Sequence, residues 1–416
     1  MGERMLNSRL LEEGAAISNI DDLPVFSDLL ARVAADPAAF PNTSSLARSA
    51  GITVTRLGEL LGEHAHLPPA SWLRRLRVRK AAVELLRSTR KTTQISADSG
   101  FASEADFEAQ FLHDMRMTPA AYRALDGSRG FRILLPDGYR PTEVLAYHAR
   151  DPEGLTERSA GNHIWKALVT PDGPVVLQLT LDAKQVFAQV HSSRKIGRES
   201  VAALHNDALH MLGLFNQIDQ FERQHAAFVK PRRGLRLPLI PRGFDALCWA
   251  ITGQQINLKF AGALRRAMIL LAGEKIGTMI AHPTAQTLAN VGVPALTALR
   301  YSGSKARYLV DAAAAVARGE LDIENLALGS AVAAEQALIA QRGVGVWTAR
   351  YVLMRRGFAD SAPVGDSGLA TALQRLHQLP ARPDAGHTER LMSRFAPNRS
   401  LASMHLWVSL QEAPQS

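Results

Sequence analysis

The stretch Ala340-Gln341-Arg342-Gly343-Val344-Gly345-Val346-Trp347-Thr348-Ala349-Arg350-Tyr351 constrains this chain more than any other. Apolar spacing predicts a helix on either side, and Gly343 and Gly345 turn the chain between them. Glycine lets the backbone turn tightly and come close to a partner. The first N–H groups of the second helix lack intrahelical acceptors, so they suit an anion such as phosphate. Downstream, Ala362-Pro363-Val364-Gly365-Asp366-Ser367-Gly368-Leu369 delivers one carboxylate beside that second helix. An Asp before Ser-Gly-Leu is also an ordinary helix N-cap, and the two roles are compatible.

A chain of 416 residues predicts two or three domains. The net charge of +9 and pI near 9.9 favour a polyanionic partner, nucleic acid first. The single cysteine, Cys248, excludes an intrachain disulfide framework, a Cys-rich zinc site and a four-Cys iron–sulfur cluster. No apolar run reads as a signal peptide or reaches membrane-spanning length without charge, so a reducing bacterial cytoplasm is expected, in association with the nucleoid. The 13 histidines form no His-x-Glu or His-Glu-x-x-His signature, and no cofactor is expected.

Residues 1–42 read as a lead-in with helical potential. Residues 43–128 contain an internal repeat: Leu46-Ala47-x-x-x-Gly51-Ile52 recurs as Ile95-Ser96-Ala97-x-x-Gly100-Phe101. Each unit is a short apolar helix, a turn at glycine and a second amphipathic helix, which is the helix-turn-helix pattern. Between them lies a longer helix from Pro69 to about Arg90, rich in arginine. With the closing Met117-Thr118-Pro119-Ala120-Ala121-Tyr122-Arg123, this segment resembles the AraC-type DNA-binding domain. The first unit would offer Thr53, Thr55 and Arg56 to phosphates or bases. The second would offer Ser103, Glu104, Asp106 and Glu108, whose carboxylates repel phosphate, so reading of an operator at two sites is not expected. The first unit or the linking helix would bind DNA with little specificity.

After the linker Asp126 to Gly130 the texture changes. Residues 131–135, 164–169, 175–181 and 186–190 read as strands, and Ser200 to Leu214 returns to helical spacing. Residues 130–225 therefore form a small α+β lobe with an antiparallel sheet. Residues 226–412 are expected to be all helical, with helices at 258–273, 284–291, 294–301, 304–317, 331–341, 346–356, 367–377 and 400–411. The fold class is mainly α with a small α+β domain.

This C-terminal part resembles the helix-hairpin-helix DNA glycosylases, and within them the AlkA-type 3-methyladenine DNA glycosylase II. The resemblance rests on Phe244-x-Ala246-Leu247 leading to Gly253-Gln254-Gln255, on Gly303-x-Lys305-Ala306, on the Gly343-Val344-Gly345-x-Trp347-Thr348-Ala349 hairpin, on Asp366 and on Pro397-Asn398-Arg399-Ser400. It implies double-stranded DNA with damaged bases as partner, bound through the backbone at Gly343, Val344, Gly345 and Thr348. It implies that Asp366 stabilises positive charge developing on the sugar as the N-glycosidic bond breaks. Gln255 would fill the stack vacated by a flipped nucleotide, and Trp347 and Tyr351 would stack on a cationic alkylated purine. Asn398 stands where close relatives carry a second pocket tryptophan, so the stacking sandwich would be incomplete there. Trp347 stands where backbone-cutting relatives carry a Schiff-base lysine, so a monofunctional enzyme acting through water and leaving an abasic site is expected. The resemblance also implies a monovalent cation at Gly343 and Gly345. A monomer is favoured. The rival readings are a damage-responsive regulator whose glycosylase fold senses lesions, and a glycosylase for oxidised or deaminated bases.

Overall fold

The computed structural model describes residues 21–127 and 130–412. The lead-in residues 1–20 lie outside that range. Two compact units emerge: residues 21–211 with 269–284, and residues 212–268 with 285–412. The molecule is mainly helical and carries one small antiparallel sheet. No described helix is long and apolar enough to cross a membrane.

The first unit begins with helix Leu23–Ala35, followed by the pair of helices Thr43–Ser49 and Val54–His64. Asn42 and Ser45 form a reciprocal capping box at the start of Thr43–Ser49, and Thr53 caps Val54–His64. Phe26, Leu29, Leu46, Leu57, Leu61 and Trp72 make the core of this corner. The second pair is Thr92–Asp98 and Glu104–Met115. It turns at Gly100, whose φ is +83° and where a Cβ would stand 2.9 Å from Ala38 Cα and the Pro37 carbonyl oxygen. Only glycine fits that crossing.

The arginine-rich helix Pro69–Arg87 links the two pairs. Several of its cations are consumed internally. Arg77 Nη2 donates to the carbonyls of Phe40 (2.7 Å) and Pro41 (3.2 Å), Arg74 pairs with Asp114 at 3.2 Å, and Lys80 donates to Ala35 O. The long aliphatic stems pack while the heads cap carbonyls. Arg74, Arg77 and Lys80 thus help to build the fold.

The sheet has the order β1(Phe131–Leu134), β5(Gln185–His191), β4(Gly173–Leu181), β3(His163–Thr170), β2(Glu157–Ala160), every pair antiparallel. Alternation places Ile133, Ile164, Leu177, Leu179, Val186 and Ala188 inside. Strand β2, Glu-Arg-Ser-Ala, has no apolar run and is invisible to a search for one. It forms because Glu157 lies opposite Lys166 in register, and their side chains meet at 2.9 Å in a buried ion pair. Helix Thr142–His148 is a second element beyond the sequence expectation; it meets β2 and β3. The third is a hairpin, β6(Glu274–Ile276) and β7(Met279–Ala281), which follows helix Leu258–Ala272. Ile280 N–H donates to Leu155 O at 2.8 Å, and Met279 and Ala281 pack on Ala167 and Val176. A segment expected to continue the helical C-terminal part instead completes the sheet lobe.

The helix-turn-helix segment and the sheet lobe share one core. Leu134 N–H donates to Arg116 O at 2.7 Å, and Arg87 pairs with Glu199 at 3.0 Å. His205, from helix Arg198–Met211, is fully buried between Tyr122 and Phe131, with ring centroids 5.7 and 5.6 Å away. Its Nε2–H donates to Met115 O at 2.9 Å, while Nδ1 is buried without a partner. Burial pulls its pKa down to about 4, and the bond to Met115 offsets only part of that. Because the folded-state value is below the unfolded one, the neutral ring's contribution is complete above pH 6.5 and is lost as pH falls toward 4. We expect the unfolding midpoint to drop through that window, by up to about 3 kcal/mol of stability. His205→Gln, which keeps a donor for Met115 O, should flatten that part of the profile in thermal melts between pH 7 and 4.

Candidate active site

All the elements of the site belong to the second unit. Helix Gly243–Gly253 is buried almost throughout, and its first N–H groups, Gly243 and Phe244, donate to the Glu324 carboxylate at 2.9 and 3.1 Å. That anion complements the helix's positive end. The other end is held just as firmly. Lys305 Nζ donates to the carbonyls of Thr252 (2.9 Å) and Gln254 (2.6 Å), filling the place of the C-terminal partners the helix lacks. Burial depresses the Lys305 pKa. The Gln254 amide then reaches across to the hairpin: Nε2 donates to Gly343 O at 2.8 Å and to Thr348 Oγ1 at 3.0 Å. Beyond this clasp, Gln255 is exposed with a left-handed φ of +54°.

The hairpin joins helix Ala331–Ile339 to helix Val346–Arg355. Gly343 has φ +80°, and a Cβ there would lie 2.2 Å from the Tyr308 ring. Gly345 is the N-cap of the second helix. Of the residues expected at a DNA backbone, Val344 and Thr348 are buried. The Val344 N–H donates to Gln341 O at 3.1 Å, and the Thr348 hydroxyl accepts from Gln254, so their side chains support the turn from inside. The Gly343 carbonyl, one of the oxygens expected to meet a monovalent cation, is engaged by the Gln254 amide. Among the described residues no group of three or more His, Cys, Asp or Glu is placed to hold a metal.

Asp366 follows Gly365, whose φ is +88°, and caps helix Ser367–Leu376. Its Oδ1 accepts two bonds, from Leu369 N–H at 2.7 Å and from the Trp407 indole Nε1–H at 3.0 Å. The expected helix cap is formed, and the side chain remains partly open to solvent. A Cβ at residue 368 would fall 3.1 Å from Asp366 Oδ1 and 3.4 Å from Trp407 Cδ1, so glycine there lets the indole approach. Trp347 and Tyr351 stack one turn apart, with centroids 5.7 Å apart and planes at 26°. The Arg355 guanidinium carbon lies 5.5 Å from the Tyr351 ring centre and 5.6 Å from that of Trp407. Trp347, Tyr351, Arg355, Trp407 and Asp366 thus form one continuous row.

Trp407 was not singled out from sequence. Its signal is its place on helix Arg399–Ser409, the element that Asn398 starts as N-cap. The structure brings Trp407, more than two turns further along, to Asp366; Asn398 donates its backbone N–H to Phe395 O at 2.8 Å. The loop before Asp366 is fixed by a buried network. Arg350 pairs with Glu335 (2.7 Å) and Glu389 (2.5 Å), and Arg399 with Glu389 (2.8 Å) and Asp360 (2.8 Å). Ser361 donates to Arg350 O through Oγ and to Ser400 Oγ through its N–H. Arg56 lies in the first unit and pairs with Asp22 and, at 3.0 Å, with Glu59.

Residues 248–398 match the family model described as HhH-GPD superfamily base excision DNA repair protein, and residues 46–125 match one described as a helix-turn-helix domain. The chain is 28% identical over 292 residues to a DNA-3-methyladenine glycosylase of Bacillus subtilis (strain 168), covering 66% of this chain and 95% of that one. It is 31% identical over 179 residues to DNA-3-methyladenine glycosylase 2 of Escherichia coli (strain K12), covering 42% and 61%. Its fold is similar to that of a 3-methyladenine DNA glycosylase from Archaeoglobus fulgidus, with TM-score 0.60, 19% identity and coverage of 68% of this chain and 98% of that one. It is also similar to the 8-oxoguanine glycosylase/lyase of Clostridium acetobutylicum in complex with double-stranded DNA, with TM-score 0.52, 14% identity and coverage of 69% and 97%. The chain therefore joins an N-terminal helix-turn-helix domain to a C-terminal helix-hairpin-helix domain of the HhH-GPD kind. That C-terminal domain is like 3-methyladenine glycosylase II, and the chain is a base-excision-repair DNA glycosylase of the HhH-GPD superfamily.

Gly343→Ala should destabilise the second unit by at least about 2 kcal/mol, through both the positive φ and the clash with Tyr308. A thermal melt of the full chain reads the loss.

Proposed function

We propose that this glycosylase is monofunctional and acts on alkylated purines of the 3-methyladenine type. The row from Trp347 to Asp366 is the observation that carries the reading. It sets electron-rich rings beside a carboxylate, which suits a leaving base and a sugar that are both cationic in character. The reaction adds water across the N-glycosidic bond, releasing the free base and leaving a hydroxyl on the abasic sugar. It needs no redox step and no cofactor. Asp366 stabilises the developing charge on the sugar and orients the attacking water. Trp347, where an amine nucleophile would otherwise stand, offers no route to a Schiff base. Gln255 fills the space left by the flipped nucleotide, and the amides of Gly343 and Gly345 hold the DNA backbone.

We read the N-terminal segment as an AraC-type double helix-turn-helix. Its electrostatics speak against tight operator reading. Residues 212–268 and 285–416 hold 22 of the 48 Lys and Arg but only 13 of the 39 Asp and Glu, and so carry the whole net charge of +9. The rest of the chain is neutral, the exposed face of helix Glu104–Met115 presents Glu104 and Glu108, and Arg56 is already paired. Phosphate contacts supply most DNA affinity, so the second unit is the main DNA-binding body. The protein works in the cytoplasm, on double-stranded DNA.

Asp366→Asn should lower base release from methylated duplex by about a hundredfold or more while DNA affinity stays near wild type. Full activity in that variant would overturn the assignment. Trp407→Phe, which removes one donor to a charged acceptor, should cost about tenfold in kcat with KM little changed. Assays on methylated, uracil-containing and 8-oxoguanine duplexes decide the substrate class, and strand cleavage at the product site would sink the monofunctional reading.

A further inference from the structure

Among the described residues Leu258 is the most solvent-exposed of the large apolar side chains, at 76%. It sits three residues after Gln255, at the first turn of helix Leu258–Ala272. Its position is not that of a frayed end. Asn257 Oδ1 accepts the Phe260 N–H at 2.9 Å, and Ala261 N–H donates to Asn257 O at 3.0 Å, so the helix start is capped and its first residue is aimed outward. Phe260 and Ile256, on either side, pack against the core of the unit, which fixes the backbone that carries Leu258. The segment just before is tied by Gln254 to Gly343 and Thr348, and by Lys305 to the end of the preceding helix. Lys259, next in sequence, is exposed and cationic.

Leu258 thus projects from a backbone fixed by its neighbours and stands next to the exposed cation of Lys259. That pairing suits a partner that is apolar and polyanionic at once. A duplex supplies both: base faces at a step of the stack, and phosphates for Lys259. Proteins that unstack DNA from the minor groove do so with apolar wedges of this kind, repaid by the contacts that bending allows. We propose that Leu258 is a second wedge, inserted at the base step beside the one that Gln255 fills. Gln255 has amide groups to satisfy the bases around the gap, whereas Leu258 has none and serves to separate a neighbouring stacked pair. The two divide the work of opening the duplex between a polar and an apolar side chain. This inference rests on the glycosylase reading for its substrate, but not for its test.

The test uses the full chain and a duplex carrying 2-aminopurine beside a tetrahydrofuran abasic site, with base release measured separately on methylated duplex and methylated single strands. Binding of wild type should raise 2-aminopurine fluorescence, and Leu258→Ala should lose most of that rise while keeping the wild-type melting temperature. The same variant should release base from the duplex about tenfold more slowly and from single strands at the wild-type rate, because only the duplex has a stack to open. Leu258→Met, similar in volume and apolar, should restore both signals. The inference is overturned if Leu258→Ala matches wild type in both assays, if it slows single strands as much as duplex, or if wild type itself gives no fluorescence rise. Absence of base release from every lesion would overturn the proposed reaction, and the fluorescence result would still decide the wedge.

Discussion

One side-chain amide holds the site together. The Gln254 Nε2 spans from the end of one helix to the turn between two others, donating to a backbone carbonyl and to a hydroxyl. Lys305 secures the same residue from the opposite side through its carbonyl. Polar groups at helix ends must find partners, and here each finds one that belongs to another functional element. The segment expected to enter the DNA stack and the hairpin expected to hold its backbone are therefore one body. Their separation is set by these hydrogen bonds together with the packing of Val344 and of Gly343 against Tyr308. A site that must match a duplex on two sides at once needs that rigidity, because misplacement of a reacting group by an ångström is costly.

The buried ion network behind Asp366 plays the matching part on the other flank. Arg350, Glu335, Glu389, Arg399 and Asp360 sit mostly out of water, where a charge pair seldom adds much net stability. What such a network supplies is direction: two planar guanidinium groups hold three carboxylates at set angles. It ties the helix bearing Trp347 and Tyr351 to the loop bearing Asp366 and to the helix bearing Trp407. The aromatic row and the carboxylate then keep a common frame.

Much of this was legible in the sequence, and what was not has physical reasons. The hairpin was readable because Gly343 must adopt a positive φ against Tyr308, a demand that glycine alone meets. The sheet was readable where burial imposes alternation, as in Val175 to Leu181. Strand β2 was not, because its pairing rests on the Glu157–Lys166 ion pair, which has no local pattern. Hairpin β6–β7 was not, because it packs on β3 and β4, about a hundred residues earlier in the chain. Trp407 escaped for a similar reason: a tryptophan on an amphipathic helix reads as core until its N–H is seen on Asp366. Within the basic helix Pro69–Arg87, Arg77 and Lys80 cap carbonyls and Arg74 pairs with Asp114, which composition could not show, since it records charge but not where it points.

The junction between the helix-turn-helix segment and the sheet lobe has an evolutionary reading. Two modules brought together on one chain normally keep separate cores and a cuttable linker. Here the linker's flanks have become interior: the ring of His205 wedges between a tyrosine from one module and a phenylalanine from the other, and takes its acceptor from the carbonyl of Met115. Neither module can now be trimmed away without unwrapping a wall of its neighbour. A shortened chain beginning at β1 would leave His205 and Phe131 without the wall that Tyr122 and Met115 supply.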